Sequence, residues 1–303
     1  MNRFIEKAQR GNNQWYHYLF TALITFVAIQ FGGIPLVIYA LIQQAPQGIS
    51  LNASIDIYSV TNTNIGLALM LLPFVAGFFS LLLCAKYIHK KNYLDVITGR
   101  ERFDWRRFFY GAGVWAILGI FSTLITLVFT NDASNIVFQF EPVNFFFLVL
   151  IAVLLLPFQT AFEEIAFRGY LIQGCALVFK SKWAALIISS LAFGLMHGSN
   201  PEVKEFGFWI AMPQYILMGL FMGYVALKDE GLELAIGIHA ANNILTAITF
   251  TSDASALQTH SLFKIMDPTA SIYDTLSLAV FAAIFIIICN RKYHFNKKKT
   301  VEL

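Results

Sequence analysis

Apolar runs of about twenty residues recur along the whole chain, and about twenty is the helical length that crosses a hydrocarbon core of about 30 Å. They lie near 18–42, 65–85, 109–129, 183–199, 207–227, 232–250 and 275–290. The stretch 144–178 is too long for one perpendicular span and contains Pro157. It reads as one tilted or kinked helix, or as a span with a helical extension. Composition leaves no soluble alternative: 57% of the 303 residues are apolar and 13% charged, against roughly 45–50% and 25% in soluble proteins. The pattern predicts an all-α fold, a polytopic transmembrane helical bundle of about eight spans. It excludes a soluble enzyme, a disordered chain and a nucleic-acid module built on a basic surface.

Residues 1–14 are polar and mixed in charge, and the apolar stretch after them is longer than a signal-peptide core and closes without a small-x-small site. The first span is therefore expected to stay as an anchor. Cys84, Cys175 and Cys289 sit inside apolar runs without metal or CxxC spacing, and read as small buried hydrophobes. Basic residues set the orientation. Eighteen fall in one set of alternating loops and ends: Arg3, Lys7 and Arg10, seven from Lys86 to Arg107, Lys180, Lys182, Lys228, and five from Arg291 to Lys299. The other set holds only Lys204 and Lys264. Both termini are expected to be cytoplasmic. Residues 93–107 mix charges with Leu94, Val96, Ile97, Phe103 and Trp105, and read as an interfacial segment lying on the cytoplasmic leaflet. Three regions are expected: 1–143 with spans one to three and no motif, a core over 144–250, and 251–303 with the last span and a basic tail.

Ionisable side chains inside spans are costly and become functional candidates. Nearly all eighteen acidic residues fall in loops or at span ends, and the clear exceptions are adjacent, Glu163 and Glu164 in AFEEIAFRGYL. At 1.5 Å per residue Glu163 lies roughly 24 Å from a helix end at Phe179. Two of the six histidines, His197 in AFGLMHG and His239 in GIHAANN, lie roughly 21 and 12 Å into their spans by the same count. A shared polar cavity follows if the spans are tilted or offset. Glu164 and Arg168 are i,i+4 in the favourable acid-before-base order, while Glu163 points about 100° away and stays free. Phe193 shares a helix face with His197, and His239 with Asn243. A carboxylate, two imidazoles and an amide are a general base, groups that hold a water, and a neutral donor for an oxyanion.

Each feature alone has a structural alternative. A Glu–Arg pair locks helices together, a lone intramembrane His is an interhelical hydrogen-bond partner, Asn242 and Asn243 serve as packing glue, and Phe193 belongs to the core. The set as a whole carries the functional reading, because a purely structural bundle needs no hydrolytic groups on three helices.

In order along the chain, EEIAFRG reads as EExxxR, FGLMH as FxxxH and HAANN as HxxxN. Over roughly residues 145–250 this resembles the CPBP family of intramembrane proteases, the CAAX-processing and bacteriocin-immunity group related to the Rce1-type prenyl protein endopeptidase. The resemblance implies peptide-bond hydrolysis inside the membrane. Glu163 would activate water, and Glu164 would assist or pair with Arg168. His197 would hold or polarise the water, and His239 and Asn243 would stabilise the oxyanion, with Phe193 in support. No cofactor is favoured. The alternative is zinc on Glu163, His197 and His239, a plausible first shell, although HExxH is lacking. The expected partners are a membrane-anchored protein or peptide substrate and the lipid bilayer, with no nucleic acid, and the expected location is a bacterial plasma membrane. A non-catalytic immunity or scaffold protein is the other class. A proton-coupled transporter would need paired halves with broken helices, and no such repeat is present.

Overall fold

The computed structural model describes residues 2–44, 60, 62–129 and 135–295. A single turn, α1 (Arg3–Glu6), precedes the apolar runs, which become α2 (Trp15–Gln44), α3 (Asn64–Tyr87), α4 (Trp105–Phe129) and α5 (Pro142–Glu164). After α5 the chain widens into a π segment, Ile165–Leu171, and continues as α6 (Ile172–Phe179). Then follow α7 (Lys182–Met196), the short α8 (Pro201–Phe206), α9 (Phe208–Asp229), α10 (Glu233–Thr249) and α11 (Ile272–Tyr293). Among the described residues six helices are long and apolar enough to cross a membrane: α2, α3, α4, the continuous rod Pro142–Phe179, α9 and α11. At 15 and 17 residues, α7 and α10 fall short of the length of about 20 that a perpendicular span needs.

Helix α2 turns Leu19, Phe20, Leu23, Phe26, Val27 and Phe31 outward, as lipid contact requires. Helix α10 is its opposite, with every residue from Glu233 to Ala241 buried. Close backbone approach makes that burial possible. A Cβ on Gly237 would stand 2.2 Å from the Phe108 carbonyl oxygen, and one on Gly111 would stand 2.7 Å from that of Leu234. Where hydrocarbon surrounds the protein, such small-residue contacts supply the packing that draws helices together. Helix α10 is thereby wedged against α4, with α5 on another side.

The basic residues gather at one end of the bundle. There the Asn2 amide donates to the Leu227 carbonyl, Gly99 N–H to that of Glu230 at 2.8 Å and Leu232 N–H to that of Ile97 at 2.9 Å. Lys292 lies over the Tyr110 ring at the same end, so the start of the chain and the end of α11 lie together. The opposite end carries a three-stranded sheet that the all-α expectation did not include. Strand β1 (Ile136–Phe138) pairs antiparallel with β3 (Phe263–Ile265), which pairs parallel with β2 (Phe250–Thr251). The segments 1–143, 144–250 and 251–303 therefore interlock through α4 on α10 and through this sheet. The lysines at 297–299 lie outside the described residues.

The segment 93–107 differs from the interfacial expectation. Asp95, Val96 and Ile97 are buried, and Asp95 pairs with Lys7 at 3.3 Å and Arg10 at 3.0 Å. Gln173 donates to the Asp95 carbonyl at 2.7 Å and to that of Phe4 at 3.0 Å. A buried carboxylate needs cations, and the N-terminal segment supplies them, drawing this loop into the bundle end. Of the large apolar side chains in this segment, Tyr93 and Trp105 are the exposed ones.

His89 staples the same end, bonding Asn12 O through Nδ1 at 2.7 Å and the Tyr170 hydroxyl through Nε2 at 2.6 Å. Burial pushes its imidazole down from 6.5 to about 4, with the Lys91 and His17 charges adding to the shift.

Two predictions follow from this architecture. Reporter fusions after Tyr293 should read cytoplasmic, and fusions within residues 253–262 should read external. The reverse at either place contradicts the alternation. The second concerns acid. The unfolded imidazole takes up its proton near 6.5 and the folded one near 4, so this contribution is complete above the higher value and is lost as pH falls toward the lower. The melting temperature should fall through that interval, and His89→Gln should flatten the fall. An unchanged slope in the variant would contradict the assignment.

Candidate active site

Glu163 and Glu164 close α5, immediately before the π segment. Single π turns inside α-helices are rare and concentrate at functional sites. Here the turn lies where the rod meets its neighbours most closely: a Cβ on Gly169 would stand 2.2 Å from the Val96 carbonyl oxygen. Helix α5 runs through Pro157 without a break, so the irregularity sits beside the two carboxylates rather than at the proline.

Glu164 and Arg168 are both fully buried, with Glu164 Oε1 3.1 Å from an Arg168 Nη1. The Arg168 guanidinium also lies 3.9 Å over the centre of the Phe193 ring, a cation–π contact that gains strength when water is excluded. The same Glu164 oxygen receives His239 Nδ1 at 2.7 Å. A carboxylate accepts, so Nδ1 carries the proton and Nε2 is left for a second partner. That Nε2 lies 3.7 Å from Glu163 Oε2, while Gln159, one turn earlier on α5, donates to Glu163 Oε1 at 3.3 Å. One imidazole thus meets both adjacent carboxylates, one at each ring nitrogen. Arg168 N–H groups and Glu164 Oε2 have no protein hydrogen-bond partner among the described residues, which leaves polar capacity for water or substrate.

His197 caps the end of α7 and donates from Nδ1 to the Phe193 carbonyl at 2.8 Å, so its Nε2 is free. Phe193 touches both imidazoles, with ring centroids 4.5 Å from His197 and 6.2 Å from His239. Asn243 accepts from the Asn242 amide at 3.2 Å, and Asn242 in turn accepts from Trp115 Nε1 at 3.2 Å.

The structure therefore joins Glu163, Glu164, Arg168, Phe193 and His239 directly. It brings His197 in through Phe193 and sets Asn243 one turn beyond His239. Three participants escaped the sequence reading. Gln159 had a signal, its i−4 spacing from Glu163. Tyr215, stacked on His197, had none, because α9 reaches the site only through tertiary packing. The π segment had none either. Among the described residues no group of three His, Cys, Asp or Glu side chains is placed to hold a metal ion.

Removing Arg168 strands a fully buried carboxylate, which costs about 3–5 kcal/mol when a buried pair is broken. Arg168→Ala should therefore lower the melting temperature and protein level more than the intrinsic rate of the surviving protein. A fully stable but inactive variant would contradict this.

Comparison with known proteins accords with the geometry. Residues 142–245 match the family model described as type II CAAX prenyl endopeptidase Rce1-like. The chain is 27% identical to the uncharacterized protein YyaK of Bacillus subtilis over 255 residues, 84% of each chain. No solved structure matches it. The matched segment spans both carboxylates, both histidines and Asn243, and the chain is a multi-pass membrane protein whose residues 142–245 are similar to the Rce1-like CAAX endopeptidase family.

Proposed function

We propose that the chain is an intramembrane endopeptidase that hydrolyses peptide bonds of membrane-associated proteins or peptides, with water activated by Glu163 and no metal ion. The observation that carries this reading is the division of labour between adjacent carboxylates. Glu164, fully buried, turns one oxygen to both Arg168 and His239 Nδ1. Among the described residues Glu163 is met by the Gln159 amide at 3.3 Å and by His239 Nε2 at 3.7 Å, the second longer than a hydrogen bond, so lone pairs remain for a water.

In the reaction Glu163 takes a proton from this water as the water oxygen bonds to the scissile carbonyl carbon. The carbonyl oxygen becomes the oxyanion, and Asn243 offers its amide N–H groups to it. His239 joins as a donor when Nε2 also carries a proton, and the charge this adds lies against both carboxylates. His197, with Nε2 free, holds the water or the substrate carbonyl. Collapse of the tetrahedral intermediate breaks the C–N bond, and Glu163 returns the proton to the leaving nitrogen. In a site shielded from bulk water each of these charge interactions is worth more than it would be in solution.

The test is cleavage by purified protein of two internally quenched peptides, one spanning a bilayer once and one ending in a prenylated CAAX tail. Glu163→Gln should lower turnover about 10²–10⁴-fold, the range of general acid–base catalysis, with the melting temperature retained. Asn243→Ala should lower it about 10²–10³-fold, the worth of an oxyanion donor. Undiminished cleavage by folded Glu163→Gln would overturn the reading.

A further inference from the structure

His197 stands where α7 ends, at φ −91° and ψ 0°. Beyond that point no helical turn holds the ring from below. Its Nδ1–H bond to the Phe193 carbonyl, 2.8 Å long, is a single hinge about which the imidazole can still rotate. The ring face is fixed by something else. Tyr215, on α9, stacks on it with centroids 4.5 Å apart and planes 23° from parallel, and Phe193 packs at 4.5 Å with a tilt of 49°.

The phenol is itself braced. Its oxygen accepts from the Asn200 amide at 3.1 Å and its hydroxyl points to Glu202 Oε2 at 3.5 Å. The other Glu202 oxygen accepts the Ala256 N–H at 2.7 Å. Segment 197–207, which includes α8, thus supplies both partners of one phenol whose ring lies flat on a candidate catalytic imidazole, and segment 252–262 holds Glu202 in turn through Ala256. A tyrosine used only as apolar filling has no need of two hydroxyl partners, one of them held in turn by a second segment.

We infer that Tyr215 is a positioning residue for His197: its ring fixes the imidazole plane, so that Nδ1–H stays on the Phe193 carbonyl and Nε2 faces the site. The catalytic consequence rests on the protease reading; the geometric claim does not. A polar group displaced by about 1 Å from its productive position costs about 10²-fold in rate, and an offset aromatic stack supplies an orientation that apolar packing of equal volume lacks.

The experiment uses the full chain in micelles, labelled with ¹⁵N-histidine and with the His197 resonances assigned through His197→Gln. It runs beside turnover of the quenched single-span peptide. Wild type should show His197 as one tautomer, protonated at Nδ1. Tyr215→Leu should give a mixture of tautomers and lower kcat about 10²-fold with KM unchanged. Tyr215→Phe keeps the ring and should restore the tautomer and most of kcat. Glu202→Gln, outside the stack, should lower kcat less than Tyr215→Leu at an unchanged melting temperature, which keeps a readout if the leucine variant folds poorly. Wild-type tautomer and kcat in both Tyr215→Leu and Glu202→Gln would overturn the inference, as would a folded Tyr215→Phe that loses as much as Tyr215→Leu. Failure of the wild type to cleave the peptide would count against the protease reading alone, because the tautomer arm would still decide what Tyr215 does.

Discussion

A carboxylate withdrawn from water inside a helical bundle survives only if its charge is met, and the bundle is arranged around one such group. Glu164 has no exposed surface. One of its oxygens meets both Arg168 on the π segment and His239 on α10. That contact holds only if the two helices keep their register. The register depends in turn on backbone approaches that leave no room for a Cβ, Gly237 against Phe108 and Gly169 against Val96. Phe193 completes the enclosure by lying under the guanidinium. Stability and site geometry are therefore one problem here, since the pairing that makes Glu164 tolerable also places the imidazole.

The placed imidazole gives Glu163 its setting. Adjacent residues on a helix point about 100° apart, so two identical side chains reach different surroundings. One is locked in a charge network. The other faces a ring nitrogen across a gap wider than a hydrogen bond, steadied by Gln159. A group that is both ordered and unsaturated is what proton transfer to and from a reacting water requires. The proposed hydrolysis draws on this asymmetry more than on either residue alone.

Much of the bundle was legible in the sequence because the hydrophobic signal is strong wherever lipid is the solvent. Each apolar run became a helix, and the loop charges alternate as the ends of the bundle do. The 15 residues of α7 and 17 of α10 show where that signal stops: apolarity marks a helix but does not separate one facing lipid from one wholly enclosed. Residues 93–97 misled because alternating charge and apolarity describe an interfacial segment and a buried loop equally well, and only the cations at Lys7 and Arg10 decide between them. The short strands at 136–138, 250–251 and 263–265 have no periodicity to detect. At the site, Glu164 and Arg168 were readable because their relation is local. The double contact of His239 with the two carboxylates, and the stack of Tyr215 on His197, depend on how separate helices pack, and no spacing along the chain encodes them.

The central claim is that a carboxylate, without an ion, activates the water. The most direct measurement is metal content and turnover determined on one and the same preparation, before and after exhaustive chelation. The account predicts turnover retained with no stoichiometric metal bound. Inactivation by the chelator, reversed by Zn²⁺ at one ion per chain, would contradict it and would make His197 and His239 ligands instead of hydrogen-bonding groups.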